Sequence, residues 1–145
     1  MERIGVLCCL ELLKREPEKH LIYLLIKGID TANVYQKGTS EKYIGEFISS
    51  EREKFVLATK YTLATNPDDP NASGNHRKNL IRSVDASLKR LNTPYIDLLW
   101  VHIWDPMIPI EEVIRALDDM IRSGKILYRD IRCSSLGRII CRCYC

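Results

Sequence analysis

Two stretches decide the fold: Phe55-Val-Leu-Ala-Thr-Lys-Tyr61 and Ile96-Asp-Leu-Leu-Trp-Val-His102. Each is a short, mostly apolar run with a polar residue near its end, as expected of a strand buried on both faces in a parallel sheet. Between them lies a polar loop, Thr62–Asn79, carrying Pro67, Pro70 and Gly74. Its length predicts either a functional role or mobility. Leu80, Ile81, Val84, Leu88 and Leu91 then recur at helical spacing. Beyond the second strand, Pro109 opens another helix with Glu111 and Glu112 in its first turn. Ile110, Val113, Ile114, Leu117 and Ile121 form its expected inner face, and Gly124 ends it.

The same alternation extends toward the N-terminus. Ser40 is expected to cap a helix, with Glu41 in its first turn and Tyr43, Ile44, Phe47 and Ile48 on its buried face. Before it, Ile29–Ala32 is a short apolar segment ending at a loop. The first 28 residues admit a strand at Ile4–Leu10 and a helix from Pro17 to Lys27, capped by Gly28. Strands alternating with amphipathic helices indicate an α/β fold with a parallel sheet, either doubly wound or part of a β/α barrel. No G-x-G-x-x-G follows any strand, so the dinucleotide fingerprint of the doubly wound fold is absent.

Composition narrows the function classes. The chain has 145 residues, 46% apolar and 28% charged, which excludes disordered and low-complexity proteins. No run approaches the roughly 18 apolar residues of a membrane span. No small-residue cleavage site follows Ile4–Leu10, so a cytoplasmic location is expected. The net charge of +3 resides entirely in the last seventeen residues, where Arg129, Arg132, Arg138 and Arg142 stand against Asp130. The balanced remainder offers no basic field for nucleic acid.

Chemistry-bearing side chains sit where strands give way to loops: Asp30 after the first apolar segment, Lys60 near the end of the second, His102 at the end of the third. In β/α barrels this C-terminal edge carries the catalytic groups. Taken singly, a lysine there is an ordinary solvated charge and a strand histidine an ordinary core residue. Three ionisable groups of different types at three successive strand ends are more specific.

Four motifs then resemble the aldo-keto reductases: Ile29-Asp-Thr-Ala-x-x-Tyr35 with Ser40-Glu41-x-x-Ile44-Gly45, Leu57-Ala-Thr-Lys60, Asp97-Leu-Leu-x-x-His102, and Pro109–Tyr128 (PIEEVIRALDDMIRSGKILY). They occur in family order over residues 29–128. The resemblance implies a partial parallel (β/α)8 TIM barrel, about its N-terminal half, since a whole barrel takes roughly 250 residues. It also implies NADP(H)-linked reduction of a small-molecule aldehyde or ketone. Tyr35 matches the proton donor, Lys60 the cation that favours its phenolate, Asp30 the carboxylate paired with that lysine, and His102 the residue that orients the carbonyl. A free phenol is a poor acid–base group near neutrality, and an adjacent ammonium corrects that. Trp104, just past the third strand, is either a wall of the substrate pocket or an ordinary packed aromatic.

The chain also departs from the family. Residues 1–28 form a divergent segment without the usual Gly-Thr-Met-x-Phe-Gly, and the cofactor contacts after strands five to eight would fall beyond Tyr128. Residues 129–145 form an Arg/Cys-rich tail. One codon choice for Arg129–Leu136 with the first base of the Gly137 codon, read one base later, encodes Gly-Ile-Ser-Asp-Ala-Pro-Ala-Trp, which resembles the family's continuation and makes a shifted reading frame an explanation of the tail. The alternative for the tail is a metal site from Cys133, Cys141, Cys143 and Cys145, whose spacing is unlike structural zinc pairs, so no metal is expected. Two functional classes follow: a carbonyl reductase, or a non-catalytic fragment lacking the cofactor-binding half. A half barrel would also leave open sheet edges through which copies self-associate.

Overall fold

The computed structural model describes residues 27–131. Four parallel strands form one sheet: β1 (Lys27–Asp30), β2 (Phe55–Tyr61), β3 (Ile96–Val101) and β4 (Ile126–Ile131). Three helices alternate with them: α1 (Thr39–Ile48), α2 (Arg77–Leu91) and α3 (Ile110–Arg122). The spatial order is β1-β2-β3-β4, each strand beside its sequence neighbour. Right-handed crossovers in unbroken order put successive helices on the same face. This is the progression of a barrel; a doubly wound sheet reverses its order. The fold is therefore the α/β barrel type, represented among the described residues by four of its β-strands.

The core lies between sheet and helices. Leu57 and Tyr61 of β2 and Leu99 and Val101 of β3 meet Leu80, Val84 and Leu91 of α2 and Val113, Ala116 and Leu117 of α3. Each fully buried aliphatic side chain here contributes about 1.5–3 kcal/mol. The expected inner faces of α2 and α3 are observed in part: Leu80, Val84, Leu91, Val113 and Leu117 are buried, Ser83, Ser87, Ala116 and Met120 join them, and Ile81, Leu88, Ile110, Ile114 and Ile121 are only half-buried. Gly124, at φ 72°, makes the left-handed turn from α3 into β4.

Three local expectations are corrected. Gly28 caps no helix: it lies in β1, paired with Val56, and Lys27 pairs with Phe55, so both backbones belong to the sheet ladder. The rest of the Pro17–Lys27 helix, the Ile4–Leu10 strand and all six cysteines lie outside the described residues. Ser40 does not cap α1. Gly38 occupies that position, and Ser40 sits within the helix with its hydroxyl 3.0 Å from Thr31 Oγ1.

The face of α1 also differs from expectation. Tyr43 is 65% exposed and Phe47 69%, whereas Glu41, Gly45 and Ile48 are buried. The reason is close helix packing at Gly45, where a Cβ would lie 2.5 Å from the Leu91 carbonyl oxygen of α2. That approach rotates the aromatics outward.

The 62–76 loop is pinned along its length. Thr65 N–H donates to the Ala72 carbonyl (3.1 Å), Arg82 pairs with Asp69 (2.8 Å), and the His76 Nδ1 caps α2 by accepting from Asn79 N–H (3.2 Å). At the opposite, N-terminal end of the sheet, Arg52 joins β2 to β3. Its guanidinium donates to Thr93 Oγ1 (2.9 Å), the Phe55 and Tyr95 carbonyls (both 3.0 Å) and Asp97 Oδ2 (2.6 Å), and lies 4.1 Å from the centre of the Tyr95 ring. Asp97 Oδ2 also accepts the Leu57 N–H (2.9 Å).

β4 runs through the point where the Arg/Cys-rich tail was expected to begin. Arg129, Asp130 and Ile131 pair with Leu99, Trp100 and Val101, and Arg129 forms an ion pair with Asp118 of α3 (2.9 Å). Among the described residues, no helix is long and apolar enough to cross a membrane, and no cluster of three or more His, Cys, Asp or Glu side chains is arranged to hold a metal.

Candidate active site

Parallel pairing brings the strand ends together. Asp30 is opposite Ala58, two residues before Lys60, and Lys60 is opposite Trp100, two residues before His102. Side chains two apart on a strand share a face. The ladder continues past β1, with Thr31 N–H donating to the Ala58 carbonyl (2.9 Å) and Asn33 N–H to the Lys60 carbonyl (3.1 Å). The chain then turns through Tyr35–Gly38, with Gln36 and Lys37 in left-handed conformation at φ 49° and 57°. This turn carries Tyr35 back over the strand ends.

The beginning of α1 fastens that turn to both neighbouring strands. Ser40 reaches Thr31, the residue after Asp30. Glu41, fully buried, accepts from Thr59 Oγ1 (2.6 Å), the residue before Lys60, and from Arg90 Nε of α2 (2.6 Å). Gly38 is needed beside that arginine: at φ 86°, its Cβ would meet Arg90 Cδ at 2.9 Å. Glu41 is thus a buried charge matched by a cation and a hydroxyl, as burial of a carboxylate requires.

The resulting cluster contains all four residues singled out in the sequence. Lys60, 2% exposed, donates to Asp30 Oδ2 (2.5 Å) and to the Thr31 carbonyl (2.8 Å). Its ammonium lies 5.2 Å from the centre of the Tyr35 ring, within cation–π range. The Tyr35 and His102 rings meet edge to face, with centroids 6.2 Å apart at 82°. Tyr35 is 42% exposed, so an incoming molecule can reach it. Burial, then the Lys60 charge, hold the His102 imidazole below its ordinary pKa, against an opposing pull from Asp30. The neutral ring is favoured. Trp104 is half-buried and packs on the hydrophobic core.

Polar atoms without partners occur near this same end, on both faces of the sheet. Among the described residues, the buried side-chain atoms lacking a hydrogen bond are Asn33 Nδ2 and Oδ1, Tyr61 Oη and His102 Nδ1. Burial raises the Tyr61 phenol above its ordinary pKa, which keeps it protonated. Asn33 and Tyr61 were not singled out from the sequence. Neither was the structural role of Glu41, whose place in a helix's first turn reads equally well as an exposed charge favoured by the helix dipole.

The arrangement can hold a lysine charged beside a phenol and present that phenol, with a neutral imidazole, to a small molecule. Comparisons with known proteins agree with this architecture. The Aldo/keto reductase family model matches residues 20–139. Norsolorinic acid reductase of Aspergillus flavus is 47% identical over 107 residues, covering 69% of this chain and 28% of that protein. The aryl-alcohol dehydrogenase [NADP(+)] of Phanerodontia chrysosporium is 43% identical over 110 residues, covering 69% of this chain and 29% of its own length. Among solved structures, an aldo-keto reductase from Bacillus halodurans in its holo form superposes with a TM-score of 0.68 at 28% identity, over 80% of this chain and 39% of that one. The chain therefore spans under a third of the length of these curated relatives. With the family model matching most of its length and a parallel barrel progression beneath it, the chain belongs to the aldo/keto reductase family.

Proposed function

We propose that this chain carries the proton-donating half of an NADP(H)-linked reductase that converts an aldehyde or ketone to an alcohol. The observation that carries the reading is the Lys60 ammonium, bonded to Asp30 and 5.2 Å from the Tyr35 ring. The named relatives support a nicotinamide cofactor and an aromatic substrate, since one is called an aryl-alcohol dehydrogenase of NADP(+).

In this reading the carbonyl oxygen approaches the exposed Tyr35 hydroxyl and the His102 imidazole. The neutral imidazole orients the carbonyl by a hydrogen bond. As the carbonyl carbon is reduced, its oxygen gains negative charge and takes the Tyr35 proton, leaving a phenolate. Lys60 stabilises that phenolate, and Asp30 and the Thr31 carbonyl keep the ammonium in place. The nicotinamide, when bound, supplies the hydride.

The residues at hand fit the substrate-facing side of such a cofactor: unpartnered polar atoms of His102 and Asn33 lie at the end of the sheet where the ligand would bind. The family resemblance assigns the phosphate and nucleotide contacts to later strands, so the described residues are assigned no role in holding them.

Fluorescence titration of the chain with NADPH, followed by an NADPH-consumption assay with an aromatic aldehyde, tests the proposal. Saturable micromolar binding and aldehyde-dependent consumption are expected if the chain acts alone. Binding absent from this chain but present in a protein that continues the barrel would assign the chain the role of a non-catalytic half. Absence from both would overturn the reductase reading.

A further inference from the structure

Asn75 lies in the loop between β2 and α2, far from the four clustered residues in sequence, yet it is fully buried. Its Oδ1 accepts the Thr62 hydroxyl (2.7 Å), and its Nδ2 donates to the Ile103 carbonyl (3.1 Å). Thr62 stands two residues after Lys60, and Ile103 immediately follows His102. One carboxamide therefore ties the loop leaving β2 to the loop leaving β3, at the points where the lysine and histidine emerge. The neighbouring residue, Gly74, adds a backbone bond from its N–H to the Thr62 carbonyl (2.8 Å).

Two features argue that this tie does more than fill space. Thr62 has φ 112°, a conformation that a β-branched residue adopts only when its surroundings impose it. The Asn75 and Gly74 bonds are what hold it there. His102 is also gripped from two sides: its N–H donates to the Tyr61 carbonyl (3.1 Å), and the next carbonyl accepts from Asn75. Its own Nδ1 has no partner, so no side-chain hydrogen bond from that atom fixes the ring. The orientation of the imidazole toward Tyr35 thus depends on the backbone on which it is mounted.

We propose that Asn75 is a positioning residue, which acts through the loop after β3 to hold the His102 imidazole against Tyr35 and beside Lys60. The proposal rests on the reading of His102 as the carbonyl-orienting group, but its test needs no turnover. The chain has three histidines, His20, His76 and His102, so a His102→Gln comparison assigns the His102 ring signals. Ring titrations by NMR are then compared between the unaltered full chain, Asn75→Ala, and Asn79→Ala as control.

Asn79 is also buried and holds the same loop, through the Gly74 carbonyl (2.7 Å), and its side chain bonds to Gly74 and Ser83, whereas the Asn75 side chain bonds to Ile103. The charged groups that act on the His102 ring are Lys60 from β2 and Asp30 from β1. Freed from burial and from Lys60, the ring in Asn75→Ala should titrate higher, toward the ordinary imidazole value, and lose its contact shifts with Tyr35. Asn79→Ala should lower stability while leaving both readouts in place. Should Asn75→Ala fail to fold, Thr62→Val removes one of the two bonds at nearly constant volume and should move the titration in the same direction by less.

A folded Asn75→Ala with the His102 titration and the Tyr35 contact unchanged would overturn the proposal, as would equal shifts in Asn75→Ala and Asn79→Ala. An unchanged titration in Thr62→Val would do so where Asn75→Ala is unfolded. A protein without reductase activity would still give these titrations, so the two failures are distinguishable.

Discussion

The two ends of the same four-stranded sheet are built on opposite principles. At the N-terminal end, Arg52 and Asp97 close a complete circuit: the guanidinium satisfies two backbone carbonyls, a hydroxyl and a carboxylate, and the carboxylate takes the Leu57 N–H as well. At the C-terminal end, a buried lysine is held by Asp30 and one carbonyl, a tyrosine is left open to solvent, and Asn33 and His102 bury polar atoms without partners. Strand β3 serves both, with Asp97 near its start and His102 just past its end. The difference teaches a division of labour expected of β/α barrels, in which one rim stabilises and the other leaves polar capacity for a ligand.

The comparison breaks most readily at the N-terminal rim. Asp97→Ala should strand a mostly buried guanidinium and a strand N–H together. A loss of about 3 kcal/mol or more is expected in urea unfolding, the scale of a broken buried ion pair. A loss below about 1 kcal/mol, the scale of an exposed pair, would remove the distinction between the two rims. At the other rim, Tyr35→Phe should cost about 10²–10⁴-fold in turnover wherever the active protein carries this segment, by deleting the proposed proton donor. Its effect on unfolding should stay within about 0.5 kcal/mol, because the hydroxyl belongs to a partly exposed side chain.

Lys60→Met sharpens the contrast further. The ion pair with Asp30 is buried on the lysine side, but Asp30 remains accessible to water once alone. Replacing such a lysine with a chain of similar length should cost only about 1 kcal/mol, the scale of a pair whose remaining charge regains water, while turnover falls if Lys60 stabilises the phenolate as proposed. Equal stability losses in Lys60→Met and Asp97→Ala would show that both rims are structural.

The smallest effect concerns pH. His102 titrates below its ordinary value of 6.5 in the folded chain, so the unfolded chain binds the extra proton first as pH falls. The stability tied to the neutral ring is therefore fully present above pH 6.5 and is lost as pH drops through the lowered folded value. His102→Gln should flatten that part of the stability–pH curve. An undiminished slope would assign it to other groups.

Much of this was legible in the residues themselves. Strand β2 appears where its apolar run stands, and α2 and α3 lie where their apolar spacing predicts. Asp30, Lys60 and His102 fall at adjacent strand ends because the pattern of alternation already implies parallel neighbours. The outward face of α1 was not legible, because Tyr43 and Phe47 keep helical spacing with Ile44 and Ile48. Only contact with α2 shows that Gly45, with no side chain, marks the buried side.

The amino-acid sequence by itself determined the order of elements, their approximate limits and the residue types at the C-terminal rim. Those depend on local propensity and on the period at which apolar groups recur. Tertiary structure alone decided that Glu41 meets Arg90, that Arg52 meets Asp97 and that Asn75 joins Thr62 to Ile103. These partners are separated by 49, 45, 13 and 28 positions. No periodicity records them, because a buried polar group must find a partner in space, and only the packed sheet and helices determine which one lies within hydrogen-bonding reach.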